Sequence, residues 1–246
     1  MNNNIYIILP VYNEGKSIYN LLKKYNDLSQ VESMKNLHIV IVNDCSTDLS
    51  DKYIRTSMSE SELSIKYIKH SKNKGLSGAL KTGFDYVKNI GISKDDFLIT
   101  MDGDDTHNPF LIKKMIEKIN EGADIVIASR YLEQSRIQGL DIFRIVLSYG
   151  AKFLYRLRWR ISGVKDYTCN FRVYRGDVVI RAMNEYGKNF ITEKGFTVAT
   201  EVLRKISRFS KINTEVPMLL RYSDKLEDSN MNILKTVIQT FKMLFR

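Results

Sequence analysis

The sequence predicts an α/β fold built on a mostly parallel sheet, and three observations predict it. Short apolar runs alternate with helix-period segments through the first half of the 246-residue chain. Several runs end on polar residues (Asn13-Glu14, Asn43-Asp44, Asp102-Gly103-Asp104), at the edge where open sheets of this class bind ligands. Hydrophobic residues make up 43% of the chain, enough for the core of one large domain.

Taken in order, Ile5–Leu9 reads as the first strand, followed by a helix from about Gly15 to Leu28. His38–Val42 is the second strand, and Ser46-Thr47-Asp48 predicts a cap for the next helix. Ser64–Lys69 is the third strand. Gly75 to Asn89 is helical, with Leu76, Leu80, Phe84 and Val87 or Tyr86 on one face. Phe97–Met101 is the fourth strand, Asn108-Pro109 opens a helix, and Ala123–Ala128 is the fifth strand. This βαβα order predicts a parallel sheet covered on both faces. The second half is less regular. It reads as a long helix of apolar and arginine residues from Ile142 to Ile161, a strand at Cys169–Tyr174 and a helix at Thr197–Ser207. A further strand at Glu215–Tyr222 precedes a closing amphipathic helix from Asn232 to Phe245.

The net charge of +10 is unevenly placed. Residues 1–130 carry 17 basic and 17 acidic side chains, whereas residues 131–246 carry 21 and 11. From Arg136 to Arg181 the basic residues are mostly arginine, whose fork matches phosphate oxygens in pairs. This points to an anionic acceptor or an anionic membrane surface for residues 131–246. No nucleic-acid motif appears, so nucleic acid is not the expected partner. Cys45 and Cys169 make no disulfide framework, which suggests a reducing compartment. No basic n-region precedes the first apolar run, and no apolar stretch approaches the ~18 residues of a membrane span.

Asp102 and Asp104 are two apart at a strand's carboxyl end, so extended backbone sends both carboxylates to one side. Gly103 between them lets the chain bend and a ligand approach. Two hard oxygen ligands so placed suit Mg²⁺ or Mn²⁺ completed by water and a diphosphate. Competing chemistries fail on spacing. No G-x-G-x-x-G follows the first strand, there is no Walker loop, and His38, His70 and His107 lack metal-ligand spacing. A haloacid-dehalogenase-type phosphatase would need the acidic motif on an early strand and a later acidic pair, and neither is present.

Pro10-Val11-Tyr12-Asn13-Glu14, Val42-Asn43-Asp44-Cys45-Ser46-Thr47-Asp48, Lys74-Gly75-Leu76, Asp102-Gly103-Asp104 and Ala128-Ser129-Arg130-Tyr131 together resemble family 2 inverting glycosyltransferases of the GT-A fold. Asp166-Tyr167-Thr168-Cys169-Asn170-Phe171-Arg172 narrows the resemblance to the dolichol-phosphate mannose synthase and polyprenyl-phosphate hexosyltransferase branch. The resemblance implies one GT-A domain over residues 1–246, with a Rossmann-like nucleotide-sugar-binding half (1–130) and an acceptor- and membrane-facing helical extension (131–246). Pro10, Tyr12, Glu14, Lys74 and Gly75 would frame the nucleotide, and Asp44 would hydrogen-bond its base or ribose. Asp102 would lie at the ribose and metal, and Asp104 would ligate the metal. Arg130, Arg144 and Ser148 would hold an acceptor phosphate, and Glu201 would face the donor sugar.

Four departures stand out. Asn43 replaces a common Asp, and Asn170 replaces a common Gly, where Asn suits a positive φ. Thr106 replaces a longer polar residue that can assist the metal. Ser229-Asn230 lacks the usual basic residue, so Arg221 or Lys225 would serve the diphosphate.

The implied reaction moves a hexose from a GDP-mannose- or UDP-glucose-type donor onto polyprenyl phosphate, on the cytoplasmic face of a membrane. An acceptor phosphate is already anionic and needs no general base. A glycan hydroxyl acceptor, the alternative, would need one, with Glu201 or Asp105 as candidates. A third reading is an inactive sugar-nucleotide-binding or membrane-docking paralogue. The helix at 142–161, with Trp159 among its arginines, suits a membrane interface. The final helix could equally close the core, seed a homodimer or meet a membrane partner. His107 reads as a capping or supporting group rather than a ligand.

Overall fold

The computed structural model describes residues 3–139, 142–221 and 233–245, with the backbone alone at 142–149, 221 and 233–235. In chain order the first half runs β1 (Ile5–Val11), α1 (Gly15–Ser29), β2 (Leu37–Asn43), α2 (Ser50–Glu60), β3 (Ser64–Lys69), α3 (Gly75–Asn89), β4 (Phe97–Thr100), α4 (Leu111–Asn120) and β5 (Ile125–Ser129). The second half continues with β6 (Arg136–Gln138), α5 (Ile142–Trp159), β7 (Arg172–Arg175), α6 (Gly176–Tyr186), α7 (Thr197–Ser207), β8 (Asn213–Pro217), β9 (Leu219–Arg221) and α8 (Ile233–Leu244).

Among the described residues the main sheet has seven strands in the order β3-β2-β1-β4-β7-β5-β8. Every pairing is parallel except those of β7, which lies antiparallel between β4 and β5. β1, β2, β4 and β5 are nearly continuous Ile, Val and Leu runs and are buried along their length, as strands covered on both faces must be. β3 alternates between half-buried and exposed because it is an edge. The crossovers β1-α1-β2 and β2-α2-β3 step one way along the sheet and β3-α3-β4 steps back. Right-handed connection therefore puts α3 on the face opposite α1 and α2. On that face Phe84 of α3 meets Phe190, just beyond α6, edge-on at 5.1 Å.

The expected mostly parallel α/β sheet is observed, and three local expectations change. Cys169–Tyr174 begins as a strand only at Arg172, because the Thr168 and Cys169 N–H groups turn back onto Asp166 Oδ1. Glu215–Tyr222 divides at buried Met218. β8 joins the main sheet, while β9 pairs with β6 in a separate two-stranded ribbon. The sequence reading missed α6, whose first residue packs so closely on the Ser93 carbonyl that a Cβ on Gly176 would lie 2.0 Å from it. No helix of the described residues is long and apolar enough to cross a membrane.

α5 and α8 pack together through Tyr155, whose hydroxyl bonds Thr240 Oγ at 3.0 Å, and through Arg158 Nε on the Leu244 carbonyl at 2.9 Å. Trp159 does not point outward as an anchor. It stacks on Tyr155 and lies under Arg204. The exposed apolar side chains of this pair are instead Phe153 (68%) and Leu157 on α5, with Ile238, Phe241 and Phe245 (87%) on or just beyond α8. Along the apolar face of α8, Leu244 is buried, while Ile238, Phe241 and Phe245 are exposed.

Candidate active site

The carboxyl ends of β1, β2 and β4 converge on one rim, and the backbone there is strained in a consistent way. Four described non-glycine residues have a left-handed φ. Three of them follow these strand ends: Asn13 (φ 54), Cys45 (φ 63) and Asp105 (φ 60). Such conformations persist only where surrounding bonds impose them, and they gather at binding sites. The bonds are present. Asn13 N–H donates to Ser46 Oγ at 3.0 Å, and its Oδ1 accepts from Thr47 N–H at 2.8 Å. Glu14 N–H donates to Ser50 Oγ and Gly15 N–H to Asp48 Oδ2. Ser46 and Asp48 thus brace the 13–15 loop more than they cap α2, whose N-cap is Leu49. Asn43 is no weakened Asp: its Oδ1 accepts from Ser46 N–H and its amide donates to the Tyr67 hydroxyl.

Asp102 and Asp104 leave the rim just beyond β4. Gly103 is required between them by the neighbouring strand, since a Cβ there would lie 2.9 Å from the Pro10 carbonyl oxygen. Asn170 Nδ2 donates to Asp102 Oδ1 at 3.0 Å, and Thr106 Oγ donates to Asp104 Oδ1 at 2.7 Å. These neutral donors orient the carboxylates without removing their charge. Asn170 does not have a positive φ, so its amide and not its backbone accounts for the departure from Gly. Thr106 likewise has a use, with buried His107 beside it at 3.2 Å and edge-on to Phe171. The described residues hold no cluster of three acidic, His or Cys side chains suited to a metal. Two oriented carboxylates fit a divalent ion that takes the rest of its shell from a diphosphate and water. Asp105 is separate from them, paired with Lys24 Nζ at 2.7 Å.

Asp44 differs from expectation. It is 2% exposed, and both its oxygens face inward. Lys74 N–H, Gly75 N–H (2.7 Å) and His70 Nδ1 (2.6 Å) occupy them, so the carboxylate shapes the 70–75 loop rather than offering an open acceptor to a base or ribose. Pro10 is buried, Tyr12 and Glu14 are half-buried, and Lys74 is exposed at the entry to α3.

Across the sheet, Arg130 follows β5 and forms a fork on Asp166, Nε at 2.8 Å and Nη2 at 2.6 Å, with Nη2 also on Thr168 Oγ. Burial works against both charges, but each outweighs it for the other. The Asp166 carboxyl is held below its ordinary value and the Arg130 guanidinium well above its own. Glu215 fixes this segment by accepting the Lys165 and Asp166 N–H groups. Most of the Arg130 fork is therefore spent on Asp166, through Nε and Nη2.

Glu201 is a correction. It is 1% exposed and accepts from Thr192, Glu193 N–H and Lys205 Nζ (2.5 Å). Burial pushes its carboxyl up, yet Lys205 and these donors hold it below its ordinary value. It fastens the 192–193 turn to α7 and is not poised to face a sugar or take a proton. Arg144 and Ser148 lie four apart on α5, in a stretch where the backbone alone is described. Arg221 ends β9 in the same condition. Lys225, Ser229 and Asn230 lie outside the described residues.

A parallel sheet with a carboxylate pair beyond its fourth strand defines a class, the nucleotide-diphospho-sugar transferases of the GT-A fold. The structure is similar to glucosyl-3-phosphoglycerate synthase from Mycobacterium tuberculosis, solved with Mn²⁺, UDP and glucosyl-3-phosphoglycerate. The TM-score is 0.63 at 13% identity, over 98% of this chain and 77% of that one. Within the class the chain belongs to glycosyl transferase family 2, whose model matches residues 6–181. It is 30% identical over 245 residues to a dolichol-phosphate mannosyltransferase of Pyrococcus furiosus, covering 98% of this chain and 62% of that protein. It is 32% identical over 183 residues to an undecaprenyl-phosphate 4-deoxy-4-formamido-L-arabinose transferase of Shewanella sediminis, covering 73% and 50%. The chain thus spans half to three-fifths of the length of these two relatives.

Proposed function

We propose that this chain transfers a hexose from a nucleoside-diphosphate sugar to polyprenyl phosphate with inversion, working at the cytoplasmic face of a membrane. One observation carries the reading: Asn170 links Asp102 on the donor rim to the Asp166–Arg172 segment that grips Arg130. A single hydrogen bond thereby couples a diphosphate-side carboxylate to a phosphate-side cation. The transfer reactions after which both relatives are named are the other support.

Asp102 and Asp104 would hold Mg²⁺ or Mn²⁺, which when bound supplies positive charge to the departing diphosphate. Tyr12, Glu14, Lys74 and Gly75 would frame the nucleotide. Arg221 or Lys225 would serve the diphosphate. Arg130, with Arg144 and Ser148, would present the acceptor phosphate oxygen to the anomeric carbon. That oxygen forms the new C–O bond as the bond to the nucleoside diphosphate breaks, and no proton moves. The hydroxyl-acceptor alternative needs a carboxylate base, and its two candidates, Glu201 and Asp105, are each committed to a lysine. Phe153, Leu157, Ile238, Phe241 and Phe245, beside exposed Arg156, Arg158 and Lys242, would lie on an anionic membrane surface.

The test is Mn²⁺-dependent transfer from UDP-glucose, GDP-mannose or a UDP-N-acetylhexosamine to a short polyprenyl phosphate. Label in an organic-extractable, acid-labile product is expected. Donor binding without any lipid product would overturn the acceptor assignment, and no donor binding would favour the inactive paralogue.

A further inference from the structure

The group beside Asp44 is a buried histidine that the transfer reaction does not use. His70 lies between β3 and α3, with Nδ1 2.6 Å from Asp44 Oδ1 and Nε2 2.9 Å from Thr82 Oγ. A carboxylate only accepts, so Nδ1 carries the proton, and Nε2 in the neutral ring accepts from Thr82. The relay Thr82–His70–Asp44 ends on the Lys74 and Gly75 N–H groups. Between its two ends the chain runs through Ser71 to Lys74, four exposed residues at the mouth of the rim. His70 N–H also bonds the Asn43 carbonyl, so both ends of this loop are tied to the end of β2.

We propose that His70 is a positioning residue for the donor's nucleoside, acting through Asp44 to hold the 71–74 loop as the base-side wall of the pocket. The proposal rests on the reading of this rim as a nucleoside-diphosphate site. It assigns the relay to the nucleoside alone, because the diphosphate end belongs to Asp102 and Asp104 beyond β4. Removing the Nδ1–H donor leaves Asp44 buried with one fewer partner and frees the loop. The loss falls on nucleoside affinity and on the donor KM, not on kcat.

The experiment is calorimetric titration of the full chain with UDP, GDP and pyrophosphate, each with Mn²⁺, in wild type, His70→Asn, His70→Gln and His70→Ala. The Asn amide stands where Nδ1 stands and can still donate to Asp44. The Gln amide reaches toward Thr82 and cannot. Wild type is expected to bind one of the two nucleotides. His70→Gln and His70→Ala should weaken that nucleotide about tenfold, the scale of one charge-assisted hydrogen bond, and leave pyrophosphate within about twofold. His70→Asn should retain wild-type nucleotide affinity within about threefold. Should His70→Ala fail to fold, the Asn and Gln pair decides. Equal weakening of nucleotide and pyrophosphate, or indistinguishable Asn and Gln variants, would overturn the relay while leaving the donor site intact. A wild-type protein that binds neither nucleotide would overturn the donor site itself.

Discussion

At the carboxyl ends of β1, β2 and β4 the polar side chains bond largely to backbone, whereas residues 130–215 are joined by buried charges. Asn13, Asn43, Ser46, Asp48 and Ser50 hold left-handed turns by short-range geometry within a few loops. On the other side, Arg130 is clamped by Asp166, Glu201 by Lys205, and Arg172 is wholly buried on the carbonyls of Tyr167 and Ala199. The first arrangement makes a shelf that orients the carboxylates of Asp102 and Asp104 beyond β4. The second ties its segments together through buried charges, at the cost of desolvating each one. Changes on the shelf should therefore act on activity, and changes in the clamp on stability.

Asp104→Ala breaks this comparison most sharply. With an oriented carboxylate gone from the diphosphate end, transfer should fall about 10³-fold while the melting temperature stays near wild type. Activity that survives undiminished would remove the metal from the reading.

Asp166→Ala should do the reverse. It leaves Arg130 buried without its partner, and such losses cost about 3–5 kcal/mol in urea denaturation. The pH dependence has a definite sign. The folded Asp166 carboxyl titrates below its ordinary 3.8 because Arg130 outweighs burial, so the pair stabilises the fold above that value. The contribution is lost as pH falls through the lower folded value, and the variant should lack that part of the acid transition. An unchanged acid limb in Asp166→Ala would mean that other carboxylates govern it.

This division also explains what was legible beforehand. β1, β2, β4 and β5 are nearly continuous apolar runs, and Asp102 and Asp104 stand out in the sequence because they follow the end of the fourth run. The clamp was not readable that way. Cys169–Tyr174 has the composition of a strand, but Asp166 captures its first N–H and that of Thr168 before it, a local turn that Asp followed by Tyr-Thr could have signalled. Glu201 lies on α7, where helical i,i+4 spacing already offers Lys205 as a partner, and only the fold brings Thr192 to it and turns the pair inward. Asp44 follows β2 as its place in the sequence predicts, but its inward turn onto His70, Lys74 and Gly75 is set by the fold.

Asn170→Ala probes the side-chain bond from the clamp to Asp102 on the shelf. The lost amide donor frees Asp102 to rotate, and the charge-assisted bond is of a size that lowers transfer about ten- to hundredfold. Stability should hardly move, because Thr100 Oγ still bonds the Asn170 carbonyl at 2.6 Å. A fall in stability without a fall in kcat would place Asn170 in the clamp alone.

The smallest effect belongs to the surface that neither half buries. Phe241 and Phe245 are exposed on or just past α8, in the same packed helix pair that presents Phe153 and Leu157. Insertion of two phenylalanines into a headgroup region recovers only part of the about 1.5–3 kcal/mol available to each on full burial. The pair Phe241→Ser and Phe245→Ser should therefore weaken sedimentation with phosphatidylglycerol vesicles about tenfold, with soluble donor binding unchanged. The residual binding should still be released by salt, because Arg156, Arg158 and Lys242 remain, and exposed charges are screened beyond about 10 Å at 0.1 M. Wild-type protein that stays in the supernatant at low salt would assign these phenylalanines to another partner. It would leave the donor shelf and the Arg130 clamp as they stand, since neither uses a residue of that face.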